Sequence, residues 1–284
     1  MKTFKEDALR QEVEEIMSSS DEKMKRTLLL AQEKGAGSWL NALPIKALGY
    51  TLNKQEFKDS IYLRYGWEIP NTPNFCHCKK ENDINHALSC KNGGYIHHRH
   101  NRIRDLEAEI MREVCLDVKT EPALLPLDNE QINGNKKDKA RPDVSGIGVW
   151  SPQERTFLDV RIFHPNCPSY VNKDIPKLYT QHENEKKNAY NERIINVEKG
   201  SFTPIVMSTT GGMGVEADRF HKRLALLISE KRKEEYSHVV NYIRTRLRFA
   251  LLKSTVTALR GVRSRRSDHT TTPMSSISYN LIQE

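Results

Sequence analysis

The tightest constraint on this chain lies in residues 141–163. The stretch reads Arg141-Pro142-Asp143-Val144, then a turn-rich segment, then Thr156-Phe157-Leu158-Asp159-Val160-Arg161-Ile162-Phe163. β-branched and aromatic residues dominate the second half, which predicts a strand. Side chains alternate across a strand. Leu158, Val160 and Ile162 therefore share one face, suited to a core, and Phe157, Asp159, Arg161 and Phe163 share the other. An ionised carboxylate among such neighbours is costly unless something pairs with it. Two partners are open. Arg161 could form a surface ion pair with Asp159, an interaction worth little. Alternatively, Asp143 and Asp159 converge on a divalent metal ion.

The chain around this stretch predicts an α+β core. Residues 143–150 form a first strand, 151–154 a turn and 155–163 the second strand, a hairpin with Asp143 where it begins. A strongly charged helix follows over 177–199, with Tyr179, Glu183, Lys186 and Tyr190 on one face and Lys187 beside them. Residues 201–209 are apolar at their centre, as an interior strand should be. The glycines of 210–214 make a tight turn, or let a phosphate approach the start of the helix over 215–233. A last helix over 236–260 turns Val240, Ile243, Leu247, Leu251 and Val256 inward. Arg244, Arg246, Arg248, Lys253 and Arg260 decorate its remainder, and Arg244, Arg248 and Lys253 are the candidate nucleic-acid contacts.

Upstream, 4–34 reads as two polar helical pieces, the second starting near Ser20 because Ser19 and Glu22 have capping-box spacing. A helix over 54–65 places Phe57, Ile61 and Tyr65 on one face. Next come Cys76, Cys78, His86 and Cys90, four ligands within fifteen residues that could close tetrahedrally on zinc. One residue, rather than two to four, separates the first two cysteines, and His77 is an alternative ligand or a bystander. Residues 83–88 predict a helical turn that brings His86 and Cys90 to one side, and Gly93-Gly94 a sharp turn. From His98 a helix carries Ile103, Leu106, Ile110 and Val114 on one face, with His97, His98 and His100 as its polar start. The polar run 128–139 reads as a mobile surface loop, and 263–284 as a basic, polar and disordered tail. The resulting organisation is a helical region over 1–72, a candidate zinc knuckle over 73–97, an α+β domain over 98–262 and the tail.

Composition narrows the partners. The 284 residues carry a net charge of +8, which favours phosphate-rich partners. There is no run of about 18 apolar residues, so no membrane partner is expected. The first residues lack the apolar centre of a signal peptide. Three of the five cysteines crowd into 76–90, which suits a metal site in a reducing, intracellular setting better than a disulfide framework. Cys115 and Cys167 stand alone.

Two carboxylates suit Mg²⁺ (or Mn²⁺), which keeps its other positions for water and substrate phosphate. Such a metal acidifies a bound water and stabilises charge on a cleaved phosphodiester, and a nearby lysine can neutralise that charge. Arg-Pro-Asp followed by Asp-Val-Arg on a strand resembles the PD-(D/E)XK, or restriction-endonuclease-like, nuclease family. Its usual lysine would fall at Arg161. Some members carry the lysine on the following helix, and Glu183-Asn184-Glu185-Lys186-Lys187-Asn188-Ala189-Tyr190 is similar to that variant. The upstream Cys/His knuckle with Arg99-His100-Asn101 narrows the likeness to the C-terminal end of R2-type non-LTR retrotransposon polyproteins.

The resemblance covers about residues 38–262. It implies a restriction-endonuclease-like fold in which Asp143 and Asp159 ligate Mg²⁺ and Lys186 or Lys187 is catalytic, with Glu183 and Tyr190 nearby. It also implies that Cys76, Cys78, His86 and Cys90 hold structural Zn²⁺. The implied activity is nicking of target DNA in the nucleus, with DNA, or also the element's RNA, as partner. The alternatives are a catalytically inactive nucleic-acid-binding remnant and a plain helical interaction protein.

Overall fold

The computed structural model describes residues 2–125 and 141–261. The predicted loop 128–139 and tail 263–284 lie outside the described residues. The order of elements is α1 (Lys2–Ser19), α2 (Glu22–Gln32), α3 (Lys54–Tyr65), α4 (Ile84–Ser89), α5 (Tyr95–Arg112), β1 (Leu116–Thr120), β2 (Val144–Ile147), β3 (Arg155–Phe163), α6 (Ile175–Asn196), β4 (Ser201–Ser208), α7 (Val215–Arg232) and α8 (Tyr236–Arg260). The class is α+β: a four-stranded mixed sheet, ordered β1-β2-β3-β4, flanked by helices. β1, β2 and β3 pair antiparallel, whereas β3 and β4 run parallel, connected through α6.

β3 is buried on both faces because helices cover both sides of the sheet. Leu158 and Val160 join Val144, Ile205 and Met207 against Ile103 and Ile110 of α5, Phe220 and Leu224 of α7, and Leu247 and Leu251 of α8. On the opposite face Phe163 and Val206 pack on Leu178 and Tyr179, while Phe157 packs on Tyr190 and Ile194, all from α6. Each such side chain contributes roughly 1.5–3 kcal/mol on full burial. The acid-bearing face of β3 is therefore as deeply covered as the other. That removes the surface pairing of Asp159 with Arg161: Asp159 is buried, and Arg161 is exposed.

Other expectations are corrected. β4 ends the described sheet and is not interior; its burial comes from helices, and as an end strand it tolerates Pro204, opposite Asp159. The cap of α2 is Asp21, whose Oδ1 accepts from Met24 N at 2.7 Å. Ser19 still belongs to α1, and its hydroxyl turns back onto the Glu15 carbonyl at 3.1 Å. Phe57 and Tyr65 of α3 are exposed. Asp59 and Ser60 point inward instead, because Arg260 grips the Asp59 carboxylate through Nε at 2.8 Å and Nη2 at 2.7 Å. β1 was not expected: it is a five-residue, mostly exposed edge strand with a shifted register and with Asp117 at φ +44°, too short and too irregular for its local pattern to stand out.

Candidate acidic site and metal-ligand cluster

Asp143 stands immediately before β2, where the paired register with β3 ends at Val144–Leu158. Its backbone N–H donates to the Leu158 carbonyl at 2.8 Å. Its carboxylate Oδ2 accepts from Val160 N at 2.6 Å, serving as an acceptor where the β2 backbone has none to offer. Asp143 is therefore fixed against the segment of β3 that bears Asp159. The same Oδ2 lies 3.1 Å from His100 Nε2, one turn into α5. Burial opposes a charge on His100, but the bond to Asp143, its charge and that of Asp159 outweigh burial and leave the imidazole pKa raised.

Asp159 is only 4% exposed. Burial raises its pKa; the Asp143 charge adds to the rise, and Lys186 opposes it. Lys186 reaches back from α6 to place Nζ 2.6 Å from Asp159 Oδ2. One turn later, the Tyr190 hydroxyl donates to the Arg141 carbonyl at 3.2 Å, and its ring lies 6.0 Å from Lys186 Nζ. Burial and the neighbouring Asp159 push the Tyr190 phenol pKa up, so it stays neutral. Asp143, Asp159, Lys186 and Tyr190 thus gather at one place, with His100 behind Asp143.

Lys187 and Glu183 do not join this group through their observed partners. Lys187 Nζ pairs with Glu216 Oε1 at 2.5 Å, and Glu183 Oε1 accepts from Glu216 N at 3.0 Å in the first turn of α7. Burial raises the Glu183 pKa, an effect that the Glu216 N–H opposes. This carboxylate fills the helix start that a phosphate would need; a Cβ at Gly214 would meet Glu183 Oε1 at 2.1 Å. The 210–214 segment is accordingly a turn, with Gly211 at φ +103°.

The knuckle brings Cys76, Cys78, His86 and Cys90 together, with all four ligand atoms within 4.8 Å of one another. The sulfurs of Cys76 and Cys90 are 3.8 Å apart, those of Cys90 and Cys78 are 4.0 Å apart, and Cys78 Sγ is 3.2 Å from His86 Nε2. Two thiolates at ~2.3 Å from a tetrahedral ion lie ~3.8 Å apart, so the set could hold a metal such as zinc. The short Cys76–Cys78 spacing is accommodated by a turn in which Lys79 N donates to the Cys76 carbonyl at 2.8 Å and Lys79 takes φ +68°. Asp83 caps α4 by accepting from His86 N at 2.6 Å, and α4 delivers His86 and Cys90 to the same side. Burial opposes a Cys76 thiolate, yet the Cys78 backbone N–H and the side chains of His86, Cys78 and Cys90 lower its pKa to about 6. His77 is exposed and outside the set. Among the described residues this is the one group of three or more His, Cys, Asp or Glu side chains close enough to share an ion.

The candidate nucleic-acid residues are not free on the surface. Arg244 Nη2 pairs with Asp218 Oδ1 at 2.7 Å, Lys253 Nζ donates to the Gly49 carbonyl at 2.9 Å, and Arg248 is buried. Their helix packs against the core and the N-terminal helices over much of its circumference, so positions read as outward are enclosed. His100 is the site residue that sequence reasoning missed. Its signal was its place on the first turns of a helix whose apolar face meets the hairpin. No family model matches this chain, and no curated protein matches it. No helix among the described residues is long and apolar enough to cross a membrane.

Proposed function

We propose that this chain is a metal-dependent DNA endonuclease of the restriction-endonuclease-like kind, derived from or part of a non-LTR retrotransposon and acting in the nucleus. One observation carries the reading: two buried carboxylates, Asp143 at the entry to β2 and Asp159 on β3, with an ammonium 2.6 Å from the second. Like charges crowded in a desolvated place are costly, and such crowding marks sites that bind cations.

The donor set fits Mg²⁺ or Mn²⁺, since carboxylate oxygens are hard ligands and two leave room for water and phosphate. A divalent ion held by Asp143 and Asp159 would supply Lewis-acid polarisation of a phosphodiester and a more acidic water. The protein's own residues do the rest. His100 and Val160 N–H hold Asp143 in one orientation. Lys186, whose Nζ lies beside Asp159, would neutralise charge on the phosphate oxygens. Tyr190 backs Lys186 and closes the site towards the core. The knuckle, with Zn²⁺ as its structural ion, would brace the start of α5 and hence His100.

A second reading, a catalytically inactive nucleic-acid-binding remnant, is favoured by Arg161 standing where the family's usual lysine would be. Nicking of supercoiled DNA separates the two. Wild type with Mg²⁺ is expected to nick, and Asp159→Ala to nick on the order of 10²–10³-fold more slowly. Equal rates for both proteins would remove Asp159 from catalysis, and a wild type inert with Mg²⁺ and with Mn²⁺ would favour the remnant.

A further inference from the structure

Away from the acidic site, α2, α3, the knuckle and α8 enclose a cavity of about 850 Å³, within the range of ~300–1,000 Å³ typical of ligand sites. Arg248 of α8 lines it. This side chain is 94% buried, being 6% exposed, and its Nε and Nη1 have no hydrogen-bond partner. The guanidinium packs against Gly211, where a Cβ would lie 2.3 Å from Nη1 and where the φ of +103° favours glycine. Two nitrogens left without hydrogen bonds on a buried guanidinium are costly.

Arg64 adds a second positive charge beside Arg248. Burial and the facing Arg64, which also lines the cavity, push the Arg248 pKa down to about 10. The nearby acid is Glu33, whose own pKa is raised by burial and which accepts hydroxyls from Tyr179 at 2.7 Å and Thr210 at 3.3 Å. His164, on the cavity wall, is held neutral by burial and by Arg99 and Arg26. Its Nε2–H then donates to Asn85 Oδ1 at 2.9 Å, and Nδ1 accepts from the Thr209 hydroxyl at 2.8 Å. Four acids, Glu22, Glu68, Glu81 and Asp83, line the cavity too, but all four are exposed, and Asp83 is spent on capping α4.

We propose that this cavity is a phosphate-binding site, in which the Arg248 guanidinium, backed by Arg64, grips a phosphoryl group of a nucleotide or nucleic-acid strand. A planar guanidinium fork matches phosphate oxygens and is less strongly hydrated than an ammonium, so it suits an enclosed site. The site goes beyond the nuclease reading and is tested without cleavage.

The test is calorimetric titration and thermal melting of the full chain in phosphate-free buffer without divalent metal. Three probes are used: inorganic phosphate, thymidine 5′-monophosphate, and a short single-stranded oligonucleotide lacking terminal phosphates. Wild type is expected to bind at least one probe, with a Tm that rises with probe concentration. Arg248→Met is expected to bind that probe about tenfold or more weakly, with no lower Tm in the absence of probe, because a buried unpaired charge has been removed. Should Arg248→Met fail to fold, Arg64→Gln serves with the same expected loss of binding. Binding of the oligonucleotide assigns the site to strand phosphodiesters; binding of the two small probes alone assigns it to a terminal or free phosphate. No binding of any probe by wild type, or unchanged binding by the variants, would overturn the proposal.

Discussion

The hairpin site and the knuckle both gather polar ligand atoms in a small space, but different forces hold them there. Asp143 and Asp159 are brought together by a sheet buried on both faces, which forces two like charges into proximity whether or not a cation is bound. The knuckle has little apolar material of its own: Ala87 and Leu88 meet Ile69, Ala258 and Leu259, and the rest is turn. Its geometry rests on the ligands themselves. The first site is preorganised by the core and strained by charge, whereas the second depends on its four ligand side chains, which could share a metal ion.

The largest effect expected from this difference is on chelation. Structural zinc contributes apparent binding energies of about 10–16 kcal/mol in small zinc-binding peptides. Removing metal from the full chain, or making Cys90→Ser, should therefore expose the backbone amides of 76–90 to hydrogen exchange. Those of β3 should stay protected. Loss of protection in both regions together would mean that the knuckle and sheet fold as one unit, and the contrast would fail.

A smaller effect belongs to the sheet. Leu158 is fully buried between α5, α7 and α8, so Leu158→Ala should lower stability by about 2–5 kcal/mol in denaturant unfolding without changing metal content. A loss of bound metal in this variant would contradict the independence of the two sites.

The smallest effect is on pH dependence. The folded His100 pKa lies above the ordinary 6.5 because of Asp143 and Asp159. A raised value means that the contribution of His100 to stability is fully present below about 6.5 and lost as pH rises through the folded value. His100→Gln should flatten this part of the stability–pH curve. An unchanged slope would mean that the histidine does not hold Asp143 through its charge.

Much of this fold was legible because its elements carry local signals. The bounds of β3 follow from its β-branched run and α8 from its apolar spacing. The helix over 54–65 was read from Phe57, Ile61 and Tyr65, yet Phe57 and Tyr65 are exposed, and the capping box of Asn53 with Glu56 is what fixes its start. The knuckle ligands were legible from residue type and spacing alone. What escaped depended on tertiary placement. Lys186 and Lys187 are neighbours on a charged helix, and nothing local tells which one turns to Asp159 and which to Glu216. Arg248 looked like a surface arginine because α8 is basic throughout; only the approach of α3 and of the Gly211 turn encloses the guanidinium. His100 needed the approach of α5 to the hairpin, a contact between residues 43 positions apart.

That choice between adjacent lysines is where the proposed nuclease is most exposed to refutation. The decisive measurement is the Mg²⁺-dependent nicking rate of Lys186→Ala and Lys187→Ala on supercoiled DNA, with each variant's fold checked by circular dichroism. If Asp143, Asp159 and Lys186 form the working set, Lys186→Ala loses on the order of 10²-fold or more, while Lys187→Ala stays within about threefold of wild type. Loss of activity in Lys187→Ala with Lys186→Ala unaffected would contradict that assignment.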